Sequence, residues 1–115
     1  MSLVLVVDDE TLSRDILTRL LRHYKIDVEL ATNAKDALVM AEQKTYDFAI
    51  VDLAMPQMNG WQLLEALQTI HLPAIALTAF YDPQVAREAK TAGFLACYPK
   101  PANTKIIEEI IALTK

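Results

Sequence analysis

Cysteine is almost absent. Cys97 stands alone, so no disulfide can close within the chain, a usage that suits a reducing compartment. Glycine is nearly as scarce, with only two residues, Gly60 and Gly93. No G-x-x-x-x-G-K stretch occurs, which excludes a P-loop nucleotide site. Positive charge is in deficit: 11 Lys and Arg face 15 Asp and Glu, for a net charge of −4. Without a basic run, direct nucleic-acid binding is disfavoured. No apolar run approaches the ~18 residues of a membrane span, and no signal-peptide pattern opens the chain. The expectation is a cytoplasmic protein that does not enter a membrane.

What the chain does have is a core. Hydrophobic residues make up 53% of 115 positions, enough to argue against disorder and for one domain over residues 1–115. The apolar run at 3–7 (LVLVV) suits a strand buried on both faces. Residues 11–24 place Leu12, Ile16, Leu17, Leu20 and Leu21 at helical spacing. Residues 27–31 (DVELA) alternate, as a strand nearer an edge does. Asn33 is a natural N-cap for a helix at 34–44. A third strand, 47–51, ends at Asp52. The stretch MPQMNG (55–60) reads as a loop, followed by a helix at 61–69. The fourth strand, 73–77, ends at Thr78. Asp82 before Pro83 opens a helix to about Ala92, and Gly93 suits its stop. The fifth strand is expected at 94–98, with Lys100 beyond it, outside any ladder. A helix at 103–114, capped by Asn103, completes five strands alternating with five helices. Such alternation predicts an α/β fold with a parallel sheet covered on both faces.

In an open α/β sheet, ligands bind at the carboxyl ends of the strands. There the sequence gathers Asp8, Asp9, Asp52, Thr78 and Lys100. Close carboxylates repel one another, so a proton or a cation belongs among them. Hard oxygen donors with open positions suit Mg²⁺. A carboxylate beside bound Mg²⁺ is a nucleophile of the aspartyl-phosphate kind, and Thr78 and Lys100 have the chemistry to hold phosphoryl oxygens.

Four stretches, VVDDE, VDLAMPQMNG, IALTA and PKP, in this order and spacing, resemble the receiver domain of two-component response regulators, across essentially the whole chain. The resemblance implies a flavodoxin-like, doubly wound sheet of order 2-1-3-4-5. It implies that Asp52 is the phosphoacceptor and that Asp8 and Asp9 are the acidic pair. Asp9 is then the direct Mg²⁺ ligand, Asp8 acts through water, and the backbone carbonyl of Ala54 is a third protein ligand. Thr78 is the switch hydroxyl. Lys100 is the partner lysine, joined to Pro101 by a cis bond. The phosphoryl donor would be a histidine kinase or a histidine phosphotransfer protein, and the output an effector domain or partner outside this chain. One position departs from the pattern. Many receivers carry Tyr or Phe three residues before the lysine, where this chain has Cys97. Tyr98, one residue later, should point to the other side of the strand, so weaker switching, or switching read at another surface, is expected.

Each residue also has an ordinary reading. Asp8 and Asp9 could cap a helix, Thr78 could bond local backbone, Lys100 could be a surface lysine, and Cys97 a small buried hydrophobe. His23 and His71 read as solvated, and Trp61 as packing. A Mg²⁺-dependent aspartyl-phosphate phosphatase is a competing function, but its usual acid, two residues after the nucleophile, is Ala54 here. A phosphorylation-independent interaction module is another. A flavin carrier is disfavoured by the scarcity of glycine and of a Ser/Thr-rich loop after the first strand. No separate substrate turnover is expected. Partner docking is expected at Leu12, Ser13 and Ile16, and the chain is expected to be a monomer or weak homodimer.

Overall fold

The computed structural model describes residues 2–55 and 58–114. Pro56 and Gln57 of the expected loop lie outside them. Ten elements alternate: β1 (Leu3–Val7), α1 (Thr11–His23), β2 (Asp27–Ala31), α2 (Ala34–Gln43), β3 (Phe48–Asp52), α3 (Gly60–Thr69), β4 (Ala74–Thr78), α4 (Pro83–Ala92), β5 (Cys97–Pro99) and α5 (Thr104–Leu113). The strands form one parallel sheet in the order β2-β1-β3-β4-β5. This is the flavodoxin-like arrangement the sequence implied, and the order reverses between β1 and β3.

Local chemistry sets the element boundaries. The side chains of Asn33, Asp82 and Asn103 each accept the backbone N–H three residues on, which satisfies donors that a helix N-terminus otherwise leaves open. Asn59 does the same for Gln62, whose side chain in turn accepts the Asn59 N–H, a reciprocal capping box. That fourth cap went unread in the sequence, where Asn59-Gly60 looked like part of the loop.

The sheet separates two apolar layers. On one side Val4, Val6, Phe48, Ile50, Ile75 and Leu77 pack against Leu17 and Leu21 of α1 and Ile106, Ile107 and Ile110 of α5. On the other, Leu5, Val7, Ala49, Val51 and Ala76 meet α2, α3 and Ala89 of α4. Strands buried on both faces carry unbroken apolar runs, as β1, β3 and β4 do. The outer strand β2 alternates and is polar at Asp27 and Glu29. Glu29 pairs with Lys44 and accepts the Tyr46 hydroxyl at 2.7 Å, which fastens this edge to the end of α2.

One expectation needs correction. The fifth strand begins at Cys97, not at residue 94. Gly93 ends α4 at φ 124°, and the Phe94 N–H still bonds to Ala89 of the helix. Phe94 therefore completes a helix end instead of opening a strand. Lys100 lies one residue beyond β5, as expected, and its N–H donates to the Thr78 carbonyl at 2.9 Å.

Candidate functional site

The carboxyl ends of β1 and β3 flank the point where strand order reverses, which is where an open α/β sheet leaves a crevice. Asp8 follows β1 directly and Asp52 is the last residue of β3. Register brings the neighbouring strand ends level with them: Asp52 lies opposite Leu77, and Thr78 opposite Pro99. Asp8, Asp52 and Thr78 are buried, and Asp9 is exposed.

The three carboxylates converge. Asp8, Asp9 and Asp52 each offer an oxygen, all within 4.8 Å of one another. Lys100 lies against two of them, with Nζ 2.8 Å from Asp8 Oδ2 and 3.2 Å from Asp52 Oδ2. Glu10 Oε1 is 3.6 Å away. One ammonium thus sits among several carboxylates, a negative balance that suits a divalent cation of the hard, oxygen-preferring kind.

Asp52 is held by both oxygens. Oδ1 accepts the Ala54 N–H at 3.0 Å and Oδ2 accepts from Lys100. Burial is the strongest influence on its titration and pushes the carboxyl up to about 6. The Ala54 N–H and the charge of Lys100 pull the other way, and the charge of Asp8 adds to the rise. Burial alone would lower Lys100, but hydrogen bonds and charge from Asp8 and Asp52 outweigh it, so the ammonium is held above its ordinary range.

Thr78 Oγ1 accepts the Phe80 N–H at 3.0 Å. The ordinary reading of this residue, a local backbone bond, is therefore present. Accepting leaves its O–H available as a donor. The Lys100–Pro101 peptide is cis.

Gly60 bears on the site through its lack of a side chain. A Cβ there would come within 2.4 Å of the Asp52 carbonyl oxygen and 2.8 Å of Leu53 Cα. These are backbone atoms and cannot swing aside, so the close approach of α3 to the end of β3 requires glycine.

The residues expected to meet a partner divide. Leu12 is exposed, at 67%, and Ile16 is half-buried. Both border a groove of about 320 Å³ whose wall includes Ala79, Pro101 and, at its polar end, Lys100. Ser13 also lines this groove, but it is buried. It lies on the buried stripe of α1 with Leu17 and Leu21, and its Oγ–H donates to Asp8 Oδ2 at 2.6 Å. The helical spacing had counted Leu12 with the apolar face of this helix and left Ser13 out of it, although both were expected at the docking surface. Cys97 is buried on the α2–α4 side, while Tyr98 packs on the α1–α5 side, the opposite orientations expected of adjacent strand residues. Trp61 packs edge-on against Phe94 at 5.9 Å. His23 and His71 are exposed. Among the described residues, no helix is long and apolar enough to cross a membrane.

Comparison with known proteins agrees with this geometry. A family model described as response regulator receiver domain matches residues 4–112. The transcriptional regulatory protein TdiR of Thauera aromatica is 37% identical over 114 residues, covering 96% of this chain and 50% of TdiR. The transcriptional regulatory protein ZraR of Salmonella typhimurium is 33% identical over 110 residues, covering 94% of this chain but only 25% of ZraR. The chain thus spans half or less of these two relatives. Among solved structures, the chemotaxis protein CheY4 of Vibrio cholerae superposes with a TM-score of 0.87 at 27% identity, over 100% of this chain and 99% of that one.

Proposed function

The chain belongs to the response regulator receiver domain family, and on that premise we propose that it is a phosphoacceptor signalling switch. Asp52 takes a phosphoryl group from a phosphohistidine on a histidine kinase or phosphotransfer protein. Asp8, Asp9, Asp52 and the backbone carbonyl of Ala54 would hold Mg²⁺. The observation that carries this reading is a buried carboxylate, Asp52, at the strand-order reversal, with Lys100 at 3.2 Å and two further acids within 4.8 Å.

The donor set fits the ion: oxygen ligands, excess negative charge and one exposed member, Asp9, open to solvent. When bound, Mg²⁺ supplies charge neutralisation at the phosphoryl oxygens. The chain's own residues do the rest. An Asp52 carboxylate oxygen attacks phosphorus; the new O–P bond forms as the P–N bond to the imidazole breaks, and the released imidazole takes up a proton. The Ala54 N–H fixes the orientation of the nucleophile. Lys100, between Asp8 and Asp52, offers a cation to the incoming phosphoryl group. The free O–H of Thr78 is a donor for one of its oxygens.

The phosphorylated Asp52 carries about −1.5 to −2 charge in place of the single charge of its carboxylate, and presents three acceptor oxygens. Movement of Thr78 and Lys100 toward it biases the flank built from α4, β5 and α5 between two states. An effector domain or partner outside this chain reads that flank, and the chain works as a monomer or weak homodimer in the cytoplasm. The groove beside Leu12 and Ile16 receives an apolar face of the phosphodonor. Ala54 stands where an aspartyl-phosphate phosphatase would carry its acid, so substrate turnover of that kind is not the reading favoured.

The test is transfer from a purified phosphohistidine domain carrying labelled phosphate. Label should pass to this chain and be released by hydroxylamine, as from an acyl phosphate. Label that stays on the donor, or that resists hydroxylamine, would contradict the proposal.

A further inference from the structure

The buried stripe of α1 begins with a hydroxyl. Leu17 and Leu21 belong to the core, and Ser13 continues their row toward the acidic rim at 8% exposure. A serine inside a helix commonly turns back to the carbonyl four residues before it. Here Oγ–H reaches Asp8 Oδ2 instead, at 2.6 Å. The same oxygen lies 2.8 Å from Lys100 Nζ, while Oδ1 accepts the Glu10 N–H at 2.9 Å. The Arg14 guanidinium donates to the Asp8 backbone carbonyl at 2.9 Å. The first turn of α1 and Lys100 therefore restrain Asp8 from several directions.

The terminal torsion of an aspartate is broad and selects no single plane by itself. With only the Glu10 N–H and a lysine also bound to Asp52, the Asp8 carboxylate could rotate and carry Nζ with it. The Ser13 hydroxyl is the fixed, buried donor that removes this freedom. We propose that Ser13 is a positioning residue. By holding Asp8 Oδ2 it sets the plane of that carboxylate and the seat of Lys100, and so tunes the affinity of the acidic rim for a divalent cation. This rests on the reading of that rim as a Mg²⁺ site and adds to it a residue that touches neither metal nor phosphate.

The test compares Ser13→Ala, Ser13→Cys and Ser13→Thr with the wild-type chain by calorimetric titration with Mg²⁺, with melting curves as the check on folding. Alanine and cysteine both lose the strong donor, and both should weaken Mg²⁺ binding about tenfold, in the range typical of groups that orient metal ligands. Threonine keeps the hydroxyl and should stay close to wild type. Cysteine nearly preserves the volume of serine, so a purely packing role would leave it near wild type while threonine suffered. That pattern, or unchanged affinity in both alanine and cysteine variants, would overturn the proposal and leave the metal reading intact. If alanine unfolds the chain, the cysteine and threonine pair still decides. No Mg²⁺ uptake by the wild-type chain would instead remove the metal reading, and this proposal with it.

Discussion

The centre of the sheet and its β5 flank are built to different standards. At the centre, β3 and β4 are five-residue strands buried at every position, and β1 is buried from Val4 onward. At the flank, β5 has three residues. The helix beside it, α4, buries Ala89 alone, whereas α5 buries Ile106, Ile107 and Ile110. Phe80 and Tyr81, between β4 and α4, are exposed at 76% and 41%. Regions with few buried apolar contacts open at lower free energy than the core. The comparison teaches how a small domain can fix a charged site and still respond to it: the acidic rim sits on the firmly packed centre, and under the proposed function the response falls to the lightly held flank.

The largest expected contrast comes from truncating one side chain in each region. Leu5→Ala, in the fully buried centre, should cost about 2–5 kcal/mol in urea unfolding. Val85→Ala, on the half-buried face of α4, should cost well under half of that. Equal losses would mean the flank is as firmly packed as the centre, and the comparison would fail.

A smaller effect, of opposite sign, is expected at Asp52. Its folded-state pKa, about 6, lies above the ordinary value of 3.8, so folding favours the protonated form. Without metal, the ionised carboxylate destabilises the fold above pH 6, and this penalty disappears as pH falls toward 4. Asp52→Asn should therefore stabilise the metal-free chain by about 1–3 kcal/mol at pH 8, with the gain shrinking through that window. A gain independent of pH, or a loss at pH 8, would show that burial of this charge is not under strain.

Smallest is the effect of Cys97→Tyr. Restoring a ring three residues before Lys100 should enlarge phosphorylation-linked amide shifts over α4 and β5 in heteronuclear NMR spectra. If the shifts do not grow, the missing ring is not what limits the flank's response.

The sequence carried most of the framework because its signals were local and mutually consistent. Asn33, Asp82 and Asn103 each announced a helix start through a side chain that can accept a backbone N–H, and each does so. The acidic rim was legible because parallel topology puts every strand's carboxyl end on one edge. Where the reading slipped, two signals competed. Phe94-Leu95-Ala96 looked like strand by apolarity, yet Gly93 at positive φ leaves Phe94 bonded to the helix behind it. On α1, Leu12 outweighed Ser13 on hydrophobicity, although Ser13 shares the stripe of Leu17 and Leu21 by four-residue spacing and Leu12 does not. A polar residue in register with buried leucines and one turn from an acidic pair was the available clue. Gly60 had been read as loop punctuation. Its tight approach to the backbone of Asp52 needs three-dimensional distances to be seen.

The central claim is that Asp52 is a phosphoacceptor dependent on the acidic rim. The most direct measurement is intact mass after incubation with a small-molecule phosphodonor, with and without Mg²⁺, for the wild-type chain and for Asp52→Asn. The account predicts one phosphoryl adduct on the wild-type chain with Mg²⁺, and none on the variant or when Mg²⁺ is chelated. An adduct that persists on Asp52→Asn, or its absence from the wild-type chain under every condition, would contradict it.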